Sequence, residues 1–278
     1  MIPGDPVRYI MGEYATEEAI NAMKVQLGLD QPLIVQYFDF LARFIQGDLG
    51  TSLMTGITVW EEIVNRFPIT FQLACYSVIL GSVIGVLMGV IAAVKQNTLL
   101  DRFIIMFSLI GISAPGFWIA LFLIWVFAYK LGWFPISGYE GFFSLVLPAI
   151  TLSLLSIGNI ARMTRSSMLD VVKQDYMRTA EAKGAPSISR VFSHGLQNAI
   201  IPVITLIGLQ FGSLLAGAVI TETVFALPGR GNFAIEAISK RDIPTVQGVV
   251  LFMAMIYTVV NLTIDIVYSF VDPRIRYE

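Results

Sequence analysis

The sequence is poor in the groups that most soluble enzymes use. Its 278 residues hold one cysteine, one histidine and only 14% charged side chains, where an ordinary globular chain carries roughly a quarter. The lone Cys75 excludes an internal disulfide and a multi-cysteine metal site. The lone His194 excludes zinc-protease spacing, which needs two histidines. No G-x-x-x-x-G-K-[ST] sequence is present, so the chain has no phosphate-cradling loop of its own. Any ATP must be used by a partner. A net charge of -2 gives no basic surface for phosphates, and no nucleic-acid partner, cofactor or metal is expected.

Apolar residues fill the space, at 56% of the chain. Crossing a hydrocarbon core of about 30 Å takes about 20 residues at 1.5 Å each. Five stretches qualify, approximately Phe71 to Val94, Phe103 to Tyr129, Phe143 to Ala161, Ala199 to Thr221 and Val246 to Phe270. The first four carry no ionisable side chain except tyrosine and cysteine, and the fifth adds only Asp265. As core helices of a soluble protein they would leave almost no polar surface, so the expectation is an all-α integral membrane protein.

Basic residues flanking spans are retained in the cytoplasm. Between the third and fourth spans lie Arg162, Arg165, Lys173, Arg178, Lys183 and Arg190, which makes this loop, about 162–198, cytoplasmic. Lys95 and Arg102 fall on the same side, as does the tail 272–278 with Arg274 and Arg276. Alternation then places residues 1–70, rich in Asp and Glu, outside. Nothing in that segment resembles a signal peptide or anchor, so a further span before Met1 is expected, the alternative being a native external N-terminus.

The outer segment reads as folded. Thr16 with Glu17 and Glu18 can cap a helix bearing Ala19, Ile20, Met23 and Leu27, ended by Gly28. A second helix is expected after Pro32, with Leu33, Tyr37, Phe40, Leu41 and Phe44 packing against other segments or the membrane face. Gly47, Gly50 and Gly56 mark turns before the first span.

In the cytoplasmic loop, Leu169, Val172, Tyr176, Thr179 and Ala180 share one helical face. Lys183-Gly184 ends that helix, Ser187 can start another, and Pro202 marks the start of the fourth span. The pattern fits a helix-turn-helix projecting below the membrane, or an amphipathic connector lying on headgroups.

Intramembrane catalysis finds no residues to use. Ser113 in Gly111-Ile112-Ser113-Ala114 has no base at its depth, and Asp265 has no second carboxylate for an aspartyl protease. An ion-coupled secondary transporter is the rival reading, since such carriers use broken helices and mid-membrane charges. Its signals here are a kink at Pro115-Gly116, Pro148 in the third span, and Asp265 four residues from Asn261. Asn261 and Asp265 are candidates for an interhelical contact or a gate, whereas His194 reads as a surface or interface residue.

Short blocks resemble a known family. Pro3-Gly4-Asp5-Pro6, Leu27-Gly28-Leu29-Asp30 with Pro32, Gly47-Asp48-Leu49-Gly50 with Ser52, and Arg66-Phe67-Pro68-Ile69-Thr70 are similar to the outer segment of dipeptide, oligopeptide and nickel ABC-importer permeases. Tyr176-Met177-Arg178-Thr179-Ala180-Glu181-Ala182-Lys183-Gly184, then His194, Asn198-Ala199 and Pro202, resemble that family's coupling loop. Glu222 to Phe225, Leu227-Pro228-Gly229, Arg241-Asp242, Asn261, Asp265 and Asp272-Pro273-Arg274 resemble its C-terminal third. Two positions depart from the pattern. Arg178-Thr179-Ala180 stands where importers in general have Glu-Ala-Ala, which is usual in this subfamily, and Arg230 stands where an apolar residue is expected.

The resemblance implies a type I ABC importer transmembrane domain over 71–271, with six spans in the family against five here. It implies a homologous second permease subunit, two cytoplasmic ATPase subunits, an extracytoplasmic solute-binding protein and a peptide-like solute. Nickel chelates, glutathione and opines are alternative substrates of the same pattern. Tyr176, Arg178, Thr179, Ala180, Glu181, Ala182, Lys183 and Gly184 would then receive work from the ATPase.

Overall fold

The computed structural model describes residues 6–12 and 14–271. Pro3-Gly4-Asp5 and the tail from Asp272 lie outside them. The elements are α1 (Pro6–Met11), α2 (Glu17–Gln26), α3 (Leu33–Ile45), α4 (Val59–Val94), α5 (Leu99–Ser113), α6 (Gly116–Leu123), α7 (Phe142–Val172), α8 (Asp175–Ala182), α9 (Ser187–Ser189), α10 (Gln197–Gly217), α11 (Val219–Val224), α12 (Arg230–Ser239) and α13 (Ile243–Val271). π-helical turns, Ile124–Lys130 and Arg190–Leu196, continue α6 and join α9 to α10. Two compact units divide the chain, one of residues 1–70 with 228–255, the other of 71–227 with 256–278.

In the first unit, Thr16 Oγ1 accepts the Ala19 N–H at 3.3 Å and caps α2, with Glu17 and Glu18 complementing the positive end of its dipole. Gly28, at φ +67°, lets the chain leave that helix. α3 follows Pro32 as expected, but it buries no residue. Leu33 and Tyr37 are exposed, while Gln36, Asp39, Phe40 and Arg43 line a cavity of about 360 Å³. The predicted apolar face is therefore split, with Phe40, Leu41 and Phe44 half-buried and Leu33 and Tyr37 exposed.

Asp242 ties the loop after Gly50 to the start of α13. Its carboxylate accepts from Ser52 Oγ at 2.5 Å, Thr245 Oγ1 at 2.8 Å and the Leu53 N–H at 3.2 Å. Arg230, expected to be apolar, is buried at 1% exposure. Aromatic faces make this tolerable, since its guanidinium lies 5.6 Å from the Phe67 ring and 5.4 Å from that of Phe252.

The second unit is organised around α7. Gly81, Gly85 and Gly89 repeat every four residues on one face of α4, and a Cβ on each would stand 2.9, 2.8 and 2.5 Å from the Cβ atoms of Ser156, Ile160 and Thr164. Small residues at this spacing let helix backbones approach closely where no hydrophobic driving force separates protein from lipid. On another face, a Cβ on Gly158 would meet the Ser108 carbonyl oxygen at 2.6 Å, and one on Gly111 the Leu154 carbonyl at 3.0 Å, so α5 and α7 interlock as well. Ser77 and Thr151 satisfy their buried hydroxyls within their own helices, donating to the Leu73 carbonyl at 2.7 Å and to that of Leu147 at 2.9 Å, whereas the Ser156 and Thr164 hydroxyls beside the α4 glycines have no partner among the described residues.

Four helices are long and apolar enough to cross a bilayer, and α5 with α6 and its π-helical extension, a pair bent by 100°, makes a fifth if it is one broken span. The kink expected at Pro115 is thus a full break. Ala114 and Pro115 are both extended, with ψ 132° and 127°, because proline disfavours helix at the residue before it and donates no N–H. The two ends of this broken pair still lie at opposite ends of α7. Asp101 meets Arg165, and Phe134 meets Phe143 with ring centroids 6.4 Å apart. From Phe143 to Arg165 an α-helix rises about 33 Å at 1.5 Å per residue, the thickness of a bilayer core.

The span limits move. α4 begins at Val59 rather than Phe71, and α7 runs to Val172, which puts Arg162 and Arg165 on the helix itself rather than in a loop. Pro202 lies inside α10 instead of at its start. The helical run already begins at Ser187, so the fourth span is longer than its uncharged portion.

Candidate functional site

The single face drawn through Leu169, Val172, Tyr176, Thr179 and Ala180 is interrupted. α7 ends at Val172, Gln174 is extended at φ -74° and ψ 150°, and α8 starts afresh at Asp175. Leu169 packs instead on a core of Val90, Ala93, Met168 and Ala199, where α4, α7 and α10 meet above the loop. Gly195 closes this core, since a Cβ there would come 3.1 Å from Met168 Cε.

α8 is a short helix displayed at the end of α7. Asp175 at its first turn suits the helix dipole. Met177 is its buried anchor, while Tyr176, Arg178, Thr179, Glu181, Ala182, Lys183 and Gly184 are exposed and Ala180 is half-buried. Its end is a Schellman closure, with the Gly184 N–H donating to the Glu181 carbonyl at 2.9 Å and the Ala185 N–H to the Ala180 carbonyl at 3.1 Å. This needs a left-handed residue, and Gly184 has φ +77°. A Cβ on Gly184 would meet nothing within 4 Å, so conformation and not close approach selects glycine there.

Two contacts return α8 to the following helical run. Glu181 pairs with Arg190, and the Tyr176 phenol comes near the Asn198 side chain, whose amide donates to the His194 carbonyl at 2.8 Å. Partial desolvation lifts the Tyr176 phenol above its usual range, opposed by the nearby Asn198 side chain, so it stays neutral at physiological pH. The Arg178–Asp175 pair, at 4.0 Å and 79% and 100% exposed, holds little. Sequence reasoning missed Met177, Arg190 and Asn198 as supports of α8. The signal for Met177 was present, being the one large apolar side chain between Asp175 and Ala182.

Asn261 and Asp265, four residues apart on α13, differ in exposure. Asn261 Oδ1 lies 3.4 Å from where a Gly212 Cβ would be, sheltered between α10 and α13. It has no hydrogen-bond partner among the described residues. Asp265 is exposed on α13. Gly208, one turn before Gly212, receives Ile264, so α13 packs on a glycine face of α10. His194 is exposed. Among the described residues no three of His, Cys, Asp or Glu gather as metal ligands would.

Comparison with known proteins agrees with this architecture. Residues 85–277 match the family described as "Binding-protein-dependent transport system inner membrane component", and residues 1–74 match its N-terminal part, "Binding-prot-dependent transport system membrane comp, N-term". The chain is 43% identical over 307 residues to the di/tripeptide transport system permease protein DppB of Pseudomonas aeruginosa (strain UCBPP-PA14), covering 100% of this chain and 91% of that protein. It is 41% identical over 305 residues to the dipeptide transport system permease protein DppB of Alkalihalophilus pseudofirmus, covering 100% and 92%. An inward-facing structure of the MetNI methionine ABC transporter shares the fold, with a TM-score of 0.66 at 18% identity over 76% of this chain and 96% of that one. With four to five apolar crossings and matches over its whole length, this chain belongs to the inner-membrane components of binding-protein-dependent transport systems.

Proposed function

We propose that this chain forms one half of the pathway of an ATP-driven importer for dipeptides or oligopeptides. It works with a homologous second permease, two cytoplasmic ATPases and an extracytoplasmic solute-binding protein, and hydrolyses no ATP itself. Residues 1–70 lie outside, 71–271 form the transmembrane domain, and the cytoplasmic loop and the tail from 272 lie inside. The observation that carries this reading is α8. Six of its eight residues stand exposed at the end of the most buried span, anchored by Met177 and closed by the Gly184 turn, as a part made to be gripped would be. ATP-driven closure of the ATPases would move α8 and tilt α7. Tyr176 and Arg178 through Gly184 are the contact surface for that grip. Asn261 serves as the α10–α13 contact, and Asp265, exposed on α13, remains the candidate gate residue.

The peptide names of the two relatives, each at more than 40% identity, support the substrate class. The test is uptake into proteoliposomes holding the chain with its partner permease, ATPases and binding protein, offered labelled dipeptides, longer peptides, glutathione and a nickel chelate. ATP-dependent accumulation of peptides is expected. Preference for glutathione or nickel would change the substrate, and uptake driven by a proton gradient without ATPases would overturn the importer reading.

A further inference from the structure

α5 is a lever with two defined ends. Its far end stops at Ser113, where extended Ala114 and Pro115 let α6 turn away by 100°. Along its length it is keyed to α7 by Gly111 against Leu154 and Gly158 against Ser108. Its near end carries Asp101, only 2% exposed although charged. Arg165 on α7 grips that carboxylate with both arms, Nε to Oδ1 at 2.7 Å and Nη2 to Oδ2 at 2.9 Å. The Asn97 N–H donates to Oδ2 at 2.9 Å, so the turn before α5 is drawn into the same knot. Asn97 sits at φ +64°, which holds that turn tight.

The position of Arg165 gives the pair its meaning. It lies on the same unbroken helix as Val172, two residues before α8's extended lead-in at Gln174. A fork-to-fork guanidinium–carboxylate pair fixes orientation as well as distance, which lysine does not reproduce. The pair thus joins the base of α5 to the helix that leads into α8, and the glycine contacts lie farther along α5.

We propose that Asp101 and Arg165 are positioning residues for transport, a strut that makes α5 and the Pro115 hinge follow the coupling helix. The inference rests on α8 being the coupling helix, so its test uses two reporters. In a Cys75→Ser background of the full complex, one cysteine replaces Gln174 beside α8 and another replaces Ile110, exposed near the hinge end of α5. Thiol-labelling rates are measured with and without ATP and vanadate. In the otherwise wild-type complex both rates are expected to change. In Arg165→Lys the change at position 174 is expected to persist and that at 110 to be lost, in complexes matched for assembly by size exclusion. Asp101→Asn, which keeps an acceptor for the Asn97 N–H and removes the charge, is the second variant if the first assembles poorly, and is expected to show the same loss to a smaller degree. A merely structural pair would lower the amount of complex and leave both responses intact, which would overturn the strut. No response at 174 in the wild-type complex would instead overturn the coupling role of α8, and the strut with it.

Discussion

Gly89 stands against Thr164 with no space for a side chain between them: a Cβ on Gly89 would lie 2.5 Å from the Thr164 Cβ and 2.6 Å from the Ala161 carbonyl oxygen. The second contact is backbone, so it cannot be relieved by a rotamer change. Gly89→Ala must push α4 from α7. Overpacking of this kind costs about 1–3 kcal/mol, and each kcal/mol shifts the melting temperature of a protein this size by about 2–4 °C. Gly116→Ala, with nothing within 4 Å, is the control. We expect Gly89→Ala to melt several degrees lower in detergent and Gly116→Ala to match the parent. Equal melting of the two would refute the glycine-packed α4–α7 interface.

Charge gives the expected side of the membrane. The stretch from Lys173 to Arg190 carries four basic residues, of the kind that are retained in the cytoplasm, and residues 1–70 carry the acidic excess. In a Cys75→Ser background we expect Thr16→Cys to react with an impermeant thiol reagent in spheroplasts, and Gln174→Cys to react only after permeabilisation. The reverse pattern would invert the topology. Both positions neighbour polar, exposed chain, so lack of reaction would not come from burial.

The spans were legible because an uncharged run of twenty residues has few other uses, yet their limits were not. Charge marks where a helix leaves lipid, not where it ends. Arg165 continues α7 because Asp101 receives it, a partner 64 residues away that no local pattern announces. The Gly81, Gly85 and Gly89 spacing is visible in the sequence, while its meaning depends on the opposing Ser156, Ile160 and Thr164. Nothing at Lys173-Gln174 breaks a helix chemically, so the apolar period was carried through a junction that only the structure places there. By contrast Gly184 was readable in full, since a glycine ending a polar helix before Ala-Pro has one common use. Helical spacing likewise aligned Asn261 with Asp265, and it is Gly212 on α10, not the spacing, that shelters the first while the second is exposed.

Gly184 separates a conformational requirement from a steric one. The Schellman closure needs its positive φ, but the space around its missing Cβ is open. A β-branched residue is excluded by its own backbone, at about 1–2 kcal/mol or more for the left-handed region, whereas asparagine visits that region routinely. Gly184→Asn should therefore keep the two closing hydrogen bonds to Glu181 and Ala180, and Gly184→Val should lose them and misdirect the chain toward Arg190. In vesicles with the full complex at matched assembly, we expect Gly184→Val to reduce substrate-dependent stimulation of ATP hydrolysis and uptake together, while the binding protein still docks from outside. Gly184→Asn is expected to retain most of both. If asparagine and valine impair coupling equally, the open space beside Gly184 is filled by the partner ATPase, and glycine is required there by close approach instead. Normal coupling in both variants would remove the turn from the coupling machinery altogether.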